Sequence, residues 1–376
     1  MYWQKEYLRT GSAMTLASTW QEDLPKTGLL GSILCYISGP QGALNGATGG
    51  KFKISDFIDK LEIIADGAHV IKSLTGHQAQ AIGLLDQKVT SPDMIRNYAT
   101  NDQRAYFLLN FGRKMLDRAM GLDLSKWKNI EIKITNSAAA ANFTALSIDV
   151  LCIYKRDDDA AGFAGCIYSE NWREYAPAAG SVQYLEIPDD WLVRRILLQP
   201  TPGFNGTTEE WNDTLNNLMY QIELSYRTGQ DRVYKDGFQM LMISNYLEFG
   251  AYVLCGGLLY PTADHALDLG AGYTMTAVTG TASKDDTAAA VDTTINADIS
   301  SNILKAETYE ADHPFYALLH GLAYQRCGVF KFDYEEDPGT WLNTREKGTV
   351  KLDITTRSTA TITGAKNRIL IERAVM

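Results

Sequence analysis

Leu61-Glu62-Ile63, followed by Gly76-His77-Gln78, returns 161 positions later (residue 222 against 61) as Ile222-Glu223-Leu224 with Gly237-Phe238-Gln239. A second echo sets Ile130-Glu131-Ile132-Lys133-Ile134-Thr135 against Val350-Lys351-Leu352-Asp353-Ile354-Thr355, at an offset of 220 (residue 350 against 130). Both members of each pair alternate apolar and polar residues, as strands with one buried face must. Behind the second echo a small-residue turn follows in each copy, then a closing strand near 148–153 or 369–372. One such match would carry little, because short alternating strands look alike. Two matches in the same order point to a tandem duplication. The offset grows by 59 residues (220 minus 161), so the second copy carries added sequence between its halves. The Gly-, Ala-, Thr- and Asp-rich stretch 261–314 is its expected place, as a surface insertion loop.

Working outward, each copy opens with an apolar strand, Ser32-Ile33-Leu34-Cys35-Tyr36-Ile37 or Arg195-Ile196-Leu197-Leu198, followed by a turn-rich loop. Short helices are expected at Gln78 to Leu85 and, from the spacing of Phe107, Leu108, Phe111, Met115 and Leu116, at Arg104 to Met120. The polar stretch from Arg156 to Gly180, with Asp157-Asp158-Asp159, reads as an irregular linker. Roughly eight strands per copy, at turn spacings of about 8 to 15 residues, predict an all-β protein of two tandem eight-stranded jelly-roll β-sandwiches. The first jelly roll is assigned to 28–156, the linker to 157–183 and the second jelly roll to 184–376.

Composition agrees with that class. A chain of 376 residues with 45% hydrophobic residues has material for two cores. A formal charge of −10 and no basic block argue against direct nucleic-acid binding. Cys35, Cys152, Cys166, Cys255 and Cys327 lie far apart without a C-x-x-C pair, so they read as small core residues. The amino terminus lacks the layout of a secretion signal, and no segment offers about 18 uncharged apolar residues for a membrane span. A cytosol-like folding compartment is expected.

Tests for chemistry fail one by one. Gly49-Gly50-Lys51-Phe52 resembles the end of a phosphate loop, but Asn45 replaces its first glycine and Phe52 its magnesium-binding hydroxyl residue. His69, His77, His265, His313 and His320 form no H-x-H or H-E-x-x-H spacing. Asp264-His265 with Asp268 is the nearest approach to a ligand cluster and reads as a solvated loop. Glu335-Glu336-Asp337 and Glu209-Glu210 could in principle supply a glycosidase pair, yet read as acidic turns. The 20 Tyr and 7 Trp scatter along strands as core and interface residues rather than forming sugar platforms. No catalytic, cofactor-binding or metal residue is assigned, and the chain is read as no enzyme.

The order of elements, together with Ile54-Ser55-Asp56-Phe57-Ile58-Asp59-Lys60-Leu61-Glu62-Ile63-Ile64, Val70-Ile71-Lys72-Ser73-Leu74-Thr75-Gly76, Gly328-Val329-Phe330-Lys331-Phe332-Asp333-Tyr334, Leu342-Asn343-Thr344-Arg345 and Arg368-Ile369-Leu370-Ile371-Glu372-Arg373, resembles a known family. It is that of the double jelly-roll major capsid proteins of tailless, internal-membrane bacteriophages and related icosahedral viruses, the lineage of adenovirus hexon. The resemblance covers most of 28–376 as pattern rather than signature. It implies a homotrimeric capsomer of pseudo-hexagonal outline in an icosahedral virion, with neighbouring capsomers, penton and minor capsid proteins as partners. It further implies that 261–314 is a tower-like loop, and that residues 1–27 are an N-terminal arm facing an internal membrane or neighbouring subunits. Two other readings stand beside it. A bicupin-type metalloenzyme also duplicates a jelly roll, but needs H-x-H pairs; a carbohydrate-binding or glycoside-cleaving sandwich, such as a phage spike, needs a sugar site.

Overall fold

The computed structural model describes residues 2–42, 53–93, 102–156, 163–205, 210–211, 213–250, 322, 324–334 and 337–375, and the backbone of six strands between 252 and 321. The first half runs β1 (Tyr2–Met14), β2 (Thr19–Asp23), β3 (Leu29–Pro40), α1 (Ile54–Phe57), β4 (Ile58–Ala65), β5 (His69–Leu74), α2 (Gly76–Gln87), β6 (Asp102–Asn110), β7 (Leu122–Asp123), β8 (Ile130–Asn136) and β9 (Leu146–Arg156). The second half opens with β10 (Cys166–Tyr175), β11 (Val182–Ile187), β12 (Leu192–Thr201), β13 (Phe204–Asn205), β14 (Glu210–Trp211), α3 (Leu215–Leu218), β15 (Gln221–Tyr226), β16 (Asp231–Asp236) and α4 (Phe238–Phe249). The added segment contributes β17 (Tyr252–Cys255), β18 (His265–Asp268), β19 (Met275–Thr281), β20 (Thr293–Asp298), β21 (Ile303–Thr308) and β22 (Tyr316–Gly321). The half closes with β23 (Gly328–Lys331), β24 (Leu342–Asn343), α5 (Thr344–Lys347), β25 (Val350–Thr355) and β26 (Lys366–Val375).

Pairing repeats strand for strand. In the first half β1-β9-β3-β6 form one sheet and β2-β8-β4-β5 the other; in the second the orders are β10-β26-β12-β23 and β11-β25-β15-β16. Even the short accessory strands repeat, β7 on β3 and β24 on β12. Each half is therefore an eight-stranded jelly roll, with two four-stranded antiparallel sheets facing across a core.

The alternation seen in sequence supplies those cores. Ile130, Ile132 and Ile134 of β8 face inward with Leu61 and Ile63 of β4, while Val350, Leu352 and Ile354 of β25 do the same beside Ile222 and Leu224 of β15. Each buried Ile or Leu contributes roughly 1.5–3 kcal/mol of transfer free energy. The intervening Glu131, Lys133, Lys351 and Asp353 stay partly exposed. A helix follows β5 and β16 at matching places. α2 starts at the N-cap Thr75, whose Oγ1 accepts from the Gln78 amide at 3.2 Å, while Gln78 Oε1 accepts from the Thr75 amide at 3.0 Å. α4 starts at Gly237, which offers no side-chain cap. By cap position Thr75 matches Gly237, so the sequence match of Gly76 with Gly237 is one residue out of register.

Four expectations change. The proposed helix at Arg104 to Met120 is strand β6 over 102–110: Gln103, Ala105, Phe107 and Leu109 are buried in alternation, and nine consecutive pairings tie it to β3. A period of two fits those residues as well as a helical spacing, and the β3 edge decides between them. Residues 1–27, expected as an N-terminal arm outside the first sandwich, contribute strands to it: β1 pairs with β9 from Tyr2↔Arg156 to Met14↔Leu146 and β2 pairs with β8. The stretch 157–183 is not an irregular linker throughout, since β10 pairs with β26 along its length. Of the polar residues of β10, Ser169 is buried, while Arg173 and Glu174 are exposed. Finally, the described parts of the insertion are strands rather than loop, in two three-stranded antiparallel sheets ordered β17-β22-β19 and β18-β21-β20.

Candidate functional site at the junction of the two sandwiches

β5 and β10 are joined in parallel through Ser169↔Lys72 and Glu170↔Ser73, which makes one continuous sheet from the two halves. Behind that seam lies a buried cluster of three cations and three carboxylates. Lys72, Arg194, Arg195, Asp86, Asp333 and Glu372 supply the charges, and each side chain is at most 6% exposed. Lys72 Nζ donates to Ser169 Oγ at 2.7 Å, and Ser169 Oγ donates to Glu372 Oε1 at 2.8 Å. Arg195 Nε lies 2.6 Å from Glu372 Oε2 as an ion pair, and its Nη2 reaches Asp86 Oδ1. Arg194 donates from Nε to Asp333 Oδ2 at 2.7 Å, from Nη1 to Asp86 Oδ1 at 3.0 Å and from Nη2 to the Arg113 carbonyl at 2.7 Å. Asn110 Nδ2 and Trp341 Nε1 donate to the remaining oxygens of Asp86 and Asp333.

Local structure explains how two consecutive arginines reach one cluster. Successive side chains on a strand normally point to opposite faces, but the β12–β26 register shifts between Val193 and Arg195, a bulge that turns Arg194 out of the alternation. Burial favours the neutral form of every member, and opposite charges a few ångströms away oppose it. Burial would raise the Glu372 carboxyl, yet Arg195, Arg194 and Lys72 hold it down at about 2. Lys72 is lowered by burial despite Glu372 nearby. Arg194 is raised by Asp86, Glu372 and Asp333 against its burial, and so stays charged. With three cations against three carboxylates and most donors matched, the cluster ties Lys72 and Asp86 of the first sandwich to Arg194, Arg195, Asp333 and Glu372 of the second.

A second polar seam runs from α2 to the segment before β23. His77 sits between Asp56, at 2.8 Å from Nε2, and Gln325, at 2.6 Å from Nδ1, while Gln325 also donates to Gln80. Burial raises the Asp56 carboxyl, but its hydrogen bond to His77, together with the charges of His77, Lys53 and Arg326, holds it low.

The residues weighed for chemistry do not converge. The loop 43–52, Asp264, Glu209, Glu335 and Glu336, and the side chains of His265, Asp268, His313 and His320 lie outside the described residues. Asp337 caps the turn at Pro338 by accepting from the Gly339 amide at 2.9 Å. The His69 ring lies against Trp127. Cys35, Cys152 and Cys166 are buried and unpaired, and burial pushes the Cys152 thiol up to about 11 and the Cys166 thiol up to about 12. Among the described residues no three His, Cys, Asp or Glu side chains come together as a metal site, and no helix is long and apolar enough to cross a membrane. A surface cleft of about 650 Å³ is lined by Tyr226, Phe332, Tyr334, Trp341, Glu346 and Lys347, among others.

No family model matches the sequence, and no curated protein matches it. Solved structures do. The MCP of STIV superposes with a TM-score of 0.60 at 11% identity, over 100% of this chain and 97% of that one. An atomic structure of Sulfolobus Turreted Icosahedral Virus gives 0.59 at 10%, covering 99% of this chain and 90% of that one. PBCV-1 VP54, fitted into a reconstruction of the virophage Sputnik, gives 0.57 at 12%, covering 99% and 94%. This chain has the double jelly-roll fold of viral major capsid proteins. The likeness runs through both sandwiches, so their placement side by side is shared as well as the fold of each.

Proposed function

We propose that this double jelly-roll chain is the major capsid protein of an icosahedral virus and acts as a structural subunit of the virion without catalysis. The observation that carries the reading is one eight-stranded sandwich built twice in tandem, in an arrangement that superposes along its whole length on viral coat subunits. Physically, a shell subunit needs rigid sandwiches, broad lateral faces and symmetry-compatible edges. The buried charge cluster suits this, because it locks the two sandwiches at one angle.

Three copies would form a capsomer of pseudo-hexagonal outline that packs with neighbouring capsomers, penton and minor capsid proteins, over an internal membrane in the manner the resemblance implies. The division proposed is a first sandwich of residues 2–156 and a second of residues 166–375, with the segment between α4 and β23 standing on the second as a tower. The test is native mass with negative-stain imaging of the purified protein. A particle of about three times 41.7 kDa with a hexagonal silhouette is expected, and a compact monomer would refute the proposal. A carbohydrate-binding reading has one foothold, the aromatic cleft beside Trp341; glycan-array binding abolished by Tyr334→Ala would support it.

A further inference from the structure

The internal repeat allows each contact between the two sandwiches to be transferred to its equivalent. Helix starts align α2 with α4, so Gln78 corresponds to Met240. Pairing registers align β10 with β1. Asn171 and Tyr7 stand opposite Leu370 and Leu151, the matching residues of the closing strands, and both β10 and β1 bulge at the very next step. Glu170 then corresponds to Glu6, Ser169 to Lys5, Lys72 to Tyr234 and Ser73 to Lys235.

Inside the chain, the first of these surfaces is covered. β5 is bridged by β10, and Gln78 Nε2 donates to Asn171 Oδ1 at 3.4 Å. Among the described residues no strand pairs with the equivalent edges. β16 ends its sheet and is exposed along nearly its whole length, whereas half of β5 is buried and only His69 is exposed. β1 ends the other sheet with Tyr7 62% exposed, and α4 presents Met240 at 48% and Leu247 at 79%. Open strand edges of this kind invite pairing.

We infer that β16 and α4 of one copy bind β1 of the next copy in a parallel bridge that repeats the β5–β10 seam, with Met240 against Tyr7 and Lys235 beside Glu6. The transferred pairs are chemically matched: the polar contact of Gln78 with Asn171 becomes a thioether on an aromatic ring, and Glu6 meets a lysine. The contact is head-to-tail, since it joins different surfaces of the two copies, and such a contact closes into a ring or runs on as a filament. A ring of three copies sets six sandwiches in a circle, each joined to the next by the same seam. This inference rests on the capsomer reading and names its interface.

The experiment combines Tyr7→Cys with Met240→Cys in the full chain, treated with a short bismaleimide, with each single variant as control. Covalent dimers and trimers, but none larger, are expected for the double variant and absent from the singles. Native mass is measured alongside. A trimer that yields no cross-link refutes this interface while leaving the capsomer reading intact, and cross-linking that stops at dimers refutes the ring. A monomeric native mass removes both. As a second arm, Glu6→Lys should weaken trimer formation about tenfold, with recovery on adding Lys235→Glu; no recovery counts against the bridge.

Discussion

Glu372→Gln is the sharpest probe of the junction. The substitution keeps the shape of the side chain and removes one of three buried carboxylates, leaving Lys72, Arg194 and Arg195 against Asp86 and Asp333. The magnitude follows from the carboxyl itself. Moving it from the ordinary 4.5 to about 2 is worth about 3 kcal/mol, at about 1.4 kcal/mol per tenfold change in proton affinity. Breaking a buried pair costs about 3–5 kcal/mol by general experience, so two routes agree on about 3 kcal/mol. Guanidinium unfolding followed by tryptophan fluorescence reads it, with Glu174→Gln as control. Glu174 pairs with Arg368 at 2.8 Å and Lys366 at 3.0 Å but is 38% exposed, so its loss should stay below about 1 kcal/mol. Acid adds a second readout. The folded carboxyl titrates below its unfolded value, so its contribution is complete above about pH 4.5 and fades as pH falls towards about 2. The wild-type protein should lose stability through that window, and the variant should lose about 3 kcal/mol less there. If Glu372→Gln costs no more than Glu174→Gln, the cluster does not hold the sandwiches together.

Three further outcomes are expected from the same unfolding assay. Ile132→Ala, a fully buried residue on β8, should cost about 2–5 kcal/mol, and a loss below about 1 kcal/mol would contradict the first core as described. Thr75→Ala removes the side-chain cap of α2 and should cost about 1 kcal/mol, with Thr75→Ser restoring most of it. Gly39→Ala would drive a Cβ into the Ala145 carbonyl and within 2.8 Å of the Leu146 side chain, and should cost about 1–3 kcal/mol; an unchanged midpoint would speak against that close approach.

Much of the duplication is legible because burial on one face writes a period of two into the chain. β8 with β25, β4 with β15 and β9 with β26 all follow this way. The same rule misleads where a strand also carries apolar residues on its outer face: Leu108 beside Phe107 and Leu109 gave β6 the look of a helix turn. β1 and β10 escape notice for the opposite reason, being too polar to announce a core. The charge cluster is scattered over residues 72, 86, 194, 195, 333 and 372, so no local motif holds it. One signal was available. Arg194-Arg195 interrupts Leu192-Val193 and Ile196-Leu197-Leu198, and Glu372 follows Ile369-Leu370-Ile371; charges inside otherwise apolar strands require buried partners.

The two bulges show how a duplicated scaffold acquired an inside and an outside. In β12 the bulged residue is Arg194, whose carbonyl accepts from the Phe332 amide at 3.0 Å; in β3 the matching residue is Gly31, whose carbonyl accepts from the Phe111 amide at 3.0 Å. The backbone solution is identical, while the side chains answer different neighbours. Beside Gly31 a Cβ would come within 2.6 Å of the Trp3 ring, so this position is filled from its own β1 strand and takes no side chain. Beside Val193 the other sandwich supplies Asp86, and an arginine spans the gap. The asymmetry between glycine and arginine at one bulge therefore follows what lies beside each: the Trp3 ring in the first sandwich, and a carboxylate of the other sandwich in the second.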